Sequence, residues 1–160
     1  MAEENERSDI KLEGDVAVWE MKVDGSIKGT YMGVFRFRCY LTPLQQIAAG
    51  REERELLGPN LALATEHERF LAYALCQLKY RIISAPPFWA SANPSGSLAG
   101  DLADEEIVAS ILDAATHAEL KYKKQLMKRK DSAVDRAKEM NDAIIEKQKE
   151  DSEIEDEDEA

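Results

Sequence analysis

Residues 30–46 read TYMGVFRFRCYLTPLQQ, and inside this stretch the spacing of apolar residues changes from that of a strand to that of a helix. Up to Leu41 the chain alternates. Tyr31, Gly33, Phe35, Phe37, Cys39 and Leu41 fall on one side, while Thr30, Met32, Val34, Arg36, Arg38 and Tyr40 fall on the other, as in a strand with one buried face. The alternation stops at Thr42. Thr42 suits the N-cap of a helix, Pro43 its first position, and Gln45 the place from which a side chain reaches back to close a capping box. Strands that come first and helices that follow read as an α+β chain.

Upstream, Ala17, Trp19, Met21 and Val23 alternate in the same way, and Asp24-Gly25 separates the two runs. That dipeptide predicts a tight two-residue turn and an N-terminal β-hairpin over 16–41, because Asp and Gly tolerate positive φ. Gly29 and Gly33 are the places where so long a second strand would bend.

Downstream, the first helix should run over 43–57 and stop at Gly58-Pro59-Asn60. Its expected buried face is Leu44, Ile47, Ala48 and Leu56 or Leu57, with Arg51 to Glu55 in solvent. Thr65 and Glu68 form a second capping box, opening a helix over 66–82 whose Phe70, Leu71, Ala74, Leu75 and Leu78 mark it as the central core helix. Pro86 and Pro87 then predict an extended segment that delivers Phe88 and Trp89 to a defined place, where such aromatics plug the edge of the core or else anchor a partner. After the loop ASANPSGSLAG (90–100), Asp101 or Asp104 caps a third core helix over 102–127, with Ile107, Val108, Ile111, Leu112, Ala115 and Leu120 on one face. Asp131-Ser132 offers a new cap, and a weaker helix over 128–149 carries the narrow stripe Val134, Ala137, Met140 and Ile144. Such a helix protrudes from the body or docks on a second chain.

The 160 residues carry a formal net charge of −11, unevenly spread. Residues 1–15 hold six acids against two bases and residues 150–160 eight acids and no base, so the body between them is close to neutral. Both ends lack the apolar residues that would offset the entropy of ordering, and are expected to be disordered acidic segments flanking a single domain over 16–127. Such ends keep a protein soluble, or mimic and shield a basic surface. Cys39 and Cys76 have no paired spacing, which fits a reducing compartment. No run approaches the roughly 20 apolar residues of a membrane span, and the acidic N-terminus is the reverse of a signal peptide, so the chain is expected to stay soluble in the cell that makes it.

No catalytic residue, cofactor or metal is expected. His67 and His117 stand in no metal or triad spacing with each other or with Cys39 and Cys76. Gly25, Gly29 and Gly33 lie in an extended run, whereas phosphate-binding glycines sit at a strand-to-helix turn. No serine occupies a nucleophile elbow. Glu105 and Glu106 suit the first turn of a helix, where the helix dipole favours acids. The basic cluster Lys121, Lys123, Lys124, Lys128, Arg129 and Lys130, with Tyr122 as a stacking face, is the candidate for nucleic-acid contact. The acidic tail downstream could instead fold back and screen it.

The order TYMGVFRFRCYLTP, RELLG, then LAYALCQLKYRIISAPPFW resembles small proteins encoded in the structural gene clusters of tailed bacteriophages. The matching residues are Gly33, Phe35, Leu41, Thr42, Leu57, Gly58, Leu78, Arg81, Ile82, Ala85, Pro86 and Trp89, within a likeness covering 29–115. What the resemblance implies is a tail assembly chaperone, which binds the tape-measure protein, keeps its long helices soluble and leaves as the tail tube polymerises.

The resulting expectation is an α+β protein in which an N-terminal hairpin packs on three core helices, with a protruding C-terminal helix and disordered acidic ends. Its function is that of a non-enzymatic phage assembly factor in the infected host cytoplasm. The tape-measure or a tail-tube protein is its partner, and Phe88, Trp89, Met32, Val34 and Tyr40 are candidate contacts. On that reading Trp89→Ala abolishes partner binding without unfolding the chain. An open two-stranded hairpin is marginal alone, so its edge could pair with a second copy. The alternatives are a permanent head, neck or tail component of the virion, and a nucleic-acid-associated protein using the cluster from Lys121 to Lys130.

Overall fold

The computed structural model describes residues 9–92, 102 and 104–158. The chain divides into two compact units, 1–122 and 123–160. The first is α+β. Strands β1 (Ile10–Glu13), β2 (Val16–Gly25), β3 (Gly29–Arg38) and β4 (Ile82–Ser84) form one antiparallel sheet in the order β1-β2-β3-β4. The helices are α1 (Pro43–Leu57), α2 (Glu66–Arg81), α3 (Pro87–Ala92) and α4 (Glu105–Asp158), with a 3-10 turn at Leu61–Leu63 between α1 and α2.

The alternation in β2 and β3 fixes which face is inward. Ala17, Trp19, Met21, Tyr31, Phe35, Phe37 and Cys39 are buried, and Val16↔Arg38 through Gly25↔Gly29 pair them in one unbroken register. Against this face lie Ala74 and Leu78 of α2, Trp89 of α3, and Ile107, Ile111, Ala114, Ala115 and Ala118 from the start of α4. Both expected capping boxes form: Gln45 and Glu68 each close back on the preceding threonine, and α1 and α2 begin where those threonines place them.

Several elements differ from the sequence reading. Residues 10–13, assigned to a disordered arm, form β1 and bury Ile10, while Asp9 accepts a hydrogen bond from Trp19 Nε1 at 2.7 Å. Two apolar residues among acids were too few to read as a strand. β4 also went unread, being three residues at a helix end; it pairs with β3 across an irregularity between Arg36 and Phe37. β1 and β4 thus cover one end of the hairpin, at Val16–Trp19 and Arg36–Phe37, and shorten the edge expected to pair with a second copy. The hairpin turn is not Asp24-Gly25 but Ser26-Ile27-Lys28, closed by Gly29 at φ +81°. Pro87 does not extend the chain; it takes the first position of α3.

In the second unit the helix of α4 continues through the expected break at Lys128–Lys130. Ser132, read as part of a new cap, instead donates its hydroxyl to the Lys128 carbonyl at 2.9 Å, a bond back into the preceding turn. The helix runs on to Asp158, through most of the segment expected to be a disordered tail.

Candidate interaction surface

The α1–α2 layer is held by few groups. Ala49 is the buried residue of α1, and Ala72 and Cys76 of α2 are buried apart from the main core, Cys76 beside Glu52 and Glu53. The rest is polar. Glu52 accepts hydrogen bonds from Lys79 Nζ at 2.8 Å and Tyr80 Oη at 2.5 Å, and these two donors, Lys79 first, hold its carboxyl below the usual range.

The consequence for α1 is that its apolar stripe faces outward. Leu44 and Ile47, expected in the core, are 79% and 58% exposed, and Leu56 is exposed too. The Glu52 clasp and Ala49 orient α1 with Leu44 and Ile47 on the far side. On α2, Phe70 was likewise expected in the core and is exposed, together with Tyr73. Leu61 and Leu63 of the 3-10 turn complete a set of seven exposed large apolar side chains, Leu63 at 79%. Where α1, the 3-10 turn and α2 meet, a groove of about 450 Å³ is lined by Leu56, Leu57, Leu63, Leu71 and Leu75, with Asn60 and Glu68. Thr65 donates to Glu68 through its backbone N–H and its hydroxyl, at 2.7 and 2.9 Å, fixing that carboxylate beside the apolar lining.

The five partner contacts expected from the sequence do not share one face. Trp89 is only 6% exposed and stands edge-on to Phe35 at 6.1 Å, while Phe88 packs edge-on against Tyr31 at 5.0 Å and Phe35 at 6.0 Å. Trp89 is core, and Phe88 is half-buried against it. Met32 and Val34 are exposed on the opposite side of β3, as strand alternation requires, and Tyr40 is exposed and stacks on Tyr122 at 5.8 Å. In the basic cluster, Lys121 donates to the Ile10 carbonyl at 2.8 Å and so ties α4 to β1. Lys123, Lys124, Lys128, Arg129 and Lys130 lie along the helix of the second unit.

The residues discussed for metal or nucleophilic chemistry have ordinary surroundings. Cys39 and Cys76 are buried, and burial pushes both thiols up to about 11. His67 pairs with Glu105 at 2.9 Å, and His117 faces Asp113 on its own helix. Among the described residues no three potential ligands gather to hold a metal ion, and no helix is long and apolar enough to cross a membrane.

One carboxylate carries a task the sequence did not show. Asp104 caps α4 through its carbonyl, which accepts from Ile107 N at 3.1 Å, but its side chain is buried and turns away to the hairpin. It accepts from Ile27 N at 2.7 Å, Lys28 N at 3.0 Å and Tyr31 Oη at 2.6 Å, while Glu106 takes Ser26 N at 2.5 Å. Gly25 makes room for it: a Cβ there would come within 2.7 Å of the Asp104 carboxyl. These contacts set the three-residue turn.

Compared with models of protein families, with curated proteins and with solved structures, the chain matches none.

Proposed function

We propose that this chain is a non-enzymatic assembly factor of a tailed bacteriophage, of the tail assembly chaperone kind, which shields an apolar helical segment of a tail protein during virion assembly. The observation that carries the reading is the leucine-lined groove where α1, the 3-10 turn and α2 meet, with Leu63 exposed at its rim; Leu44 and Ile47 add exposed apolar surface elsewhere on α1. Exposed apolar side chains concentrated in one layer mark an interaction site, and a groove between helices suits an amphipathic helix laid lengthwise. The phage setting rests on the sequence resemblance. The partner contacts of this reading are thus Leu44, Ile47, Leu63 and the groove, with Met32 and Val34 as a second exposed face.

The test is co-purification of the full chain with the tape-measure protein of the same gene cluster. Leu44→Ser and Ile47→Ser, made together, should abolish the complex while leaving the melting temperature within about 2 °C, as expected for exposed positions. An unchanged complex would remove the α1–α2 layer from the reading. Mass spectrometry of mature particles beside infected lysate separates the chaperone from a permanent virion component: a chaperone is present in the lysate and absent from the particle.

A further inference from the structure

We propose that residues 123–158 of α4 pair with the same segment of a second copy of this chain, running antiparallel. Charge layout is the first argument. One end holds Lys123, Lys124, Lys128, Arg129 and Lys130 without an acid, and the other holds seven acids between Glu150 and Asp158 without a base. The twenty residues from Lys130 to Glu150 span about 30 Å of helix, more than three screening lengths at physiological salt. Because the helix is continuous from one block to the other, the acidic end cannot fold back on the basic end of its own chain. An antiparallel copy complements both blocks at once. A parallel copy would set bases against bases and acids against acids.

The apolar residues between the blocks give the same geometry. Met127, Val134, Ala137 and Ile144 follow one another at seven, three and seven residues, the a, a, d and d positions of a heptad seam, with Lys130 and Asn141 at the intervening d and a positions. Met127, Val134, Met140, Ile144 and Ile145 are all exposed. With Glu139 at the centre of an antiparallel pair, Val134 meets Ile144 and Ala137 meets Asn141, each an a position against a d position. About the same centre Lys123, a d position, falls opposite Glu155, an a position, and the basic block as a whole lies alongside the acidic one. Arg129 against Lys149, and Glu139 against its own copy, are the like-charged pairs left over. The seam is short and partly polar, which makes the pairing depend on the charged ends and hence on salt.

The experiment is sedimentation velocity on the full-length chain at about 50 and 500 mM salt. A dimer is expected at low salt, with a dissociation constant about tenfold or more weaker at high salt. K123E with K128E should weaken it similarly, and adding E150K and E155K to that variant should restore it. A spin label at Met127→Cys should report a separation of about 36 Å in the dimer, the helical distance between positions 127 and 151. A monomer at micromolar concentrations in low salt overturns the proposal. So does a dimer indifferent to the charge reversals, a short label distance, or a monomer that uses the basic block to bind nucleic acid.

Discussion

Tyr31 donates its hydroxyl to Asp104 across 2.6 Å, joining residues 73 positions apart and fastening the hairpin to the start of α4. The carboxylate beneath it also takes two backbone N–H groups of the β2–β3 turn. The residue that precedes α4 and the β2–β3 turn are therefore one polar unit.

Asp104→Ala should lower the melting temperature by about 5–10 °C, because it takes the acceptor from the buried Tyr31 hydroxyl and from the part-buried amides of Ile27 and Lys28. Asp104→Asn should lower it less, keeping one acceptor. The Tyr31 hydroxyl, then the Ile27 and Lys28 amides, hold the Asp104 carboxyl below its usual range. A depressed folded pKa contributes stability that is complete above the unfolded value near 4 and is lost as pH falls toward the folded one. Denaturation curves of the wild type and Asp104→Asn should therefore converge below about pH 4.

At the alkaline end the sign reverses. Tyr31 is pushed up to about 12, first by the hydrogen bond it gives Asp104 and then by burial. Its contribution is complete below the ordinary tyrosine value near 10 and is lost as pH rises through about 12. Absorbance titration should show a late-ionising tyrosine that disappears in Tyr31→Phe. A Tyr31→Phe titration identical to that of the wild type would refute the placement.

The strand faces, both capping boxes and the ends of α1 and α2 were legible because each rests on neighbours within a few residues. Phe35 and Trp19 had to point inward once the alternation was read. What could not be read depends on remote partners. Leu44 and Ile47 make the same i, i+3 pattern whether a helix turns them in or out, and the choice here falls to Glu52 meeting Lys79 and Tyr80, 27 and 28 residues away. Asp104 shows the same limit: its capping role was visible, its grip on the hairpin was not. Ile10 and Leu12 were masked by the acids around them.

Gly33 illustrates a contact the sequence hinted at for another reason. It was expected to bend the strand, but it stays in register with Met21 and leaves space for Pro86, whose ring carbons would stand 2.3 and 2.4 Å from an added Cβ. Gly33→Ala should cost about 1–3 kcal/mol by chemical denaturation. Pairing it with Pro86→Gly, which removes both of those carbons, should recover part of that loss, and strict additivity of the two would show that the clash is not the cause.

Trp89→Ala tests the reassignment of the aromatic pair. A surface anchor would lose binding and keep stability. Trp89 is buried against Phe35, so its removal opens a cavity in the main core and should cost about 3–5 kcal/mol. An unchanged melting temperature would return Trp89 to the surface.

Arg81 and Glu119 supply the sharpest stability test. Arg81 is 9% exposed and donates from one terminal nitrogen to Glu119 at 2.6 Å, while the other reaches the Ala115 carbonyl at 3.4 Å. Its Nε has no hydrogen-bond partner among the described residues. Removing only the carboxylate leaves a guanidinium desolvated with a single weak carbonyl contact, so Glu119→Ala should cost about 3–5 kcal/mol. Replacing both partners removes the desolvation problem along with the attraction. Arg81→Met with Glu119→Leu should therefore lie within about 1 kcal/mol of the wild type, or above it. If the double variant is as unstable as Glu119→Ala, the pair contributes attraction that apolar packing cannot replace, and the link between α2 and α4 is ionic in origin.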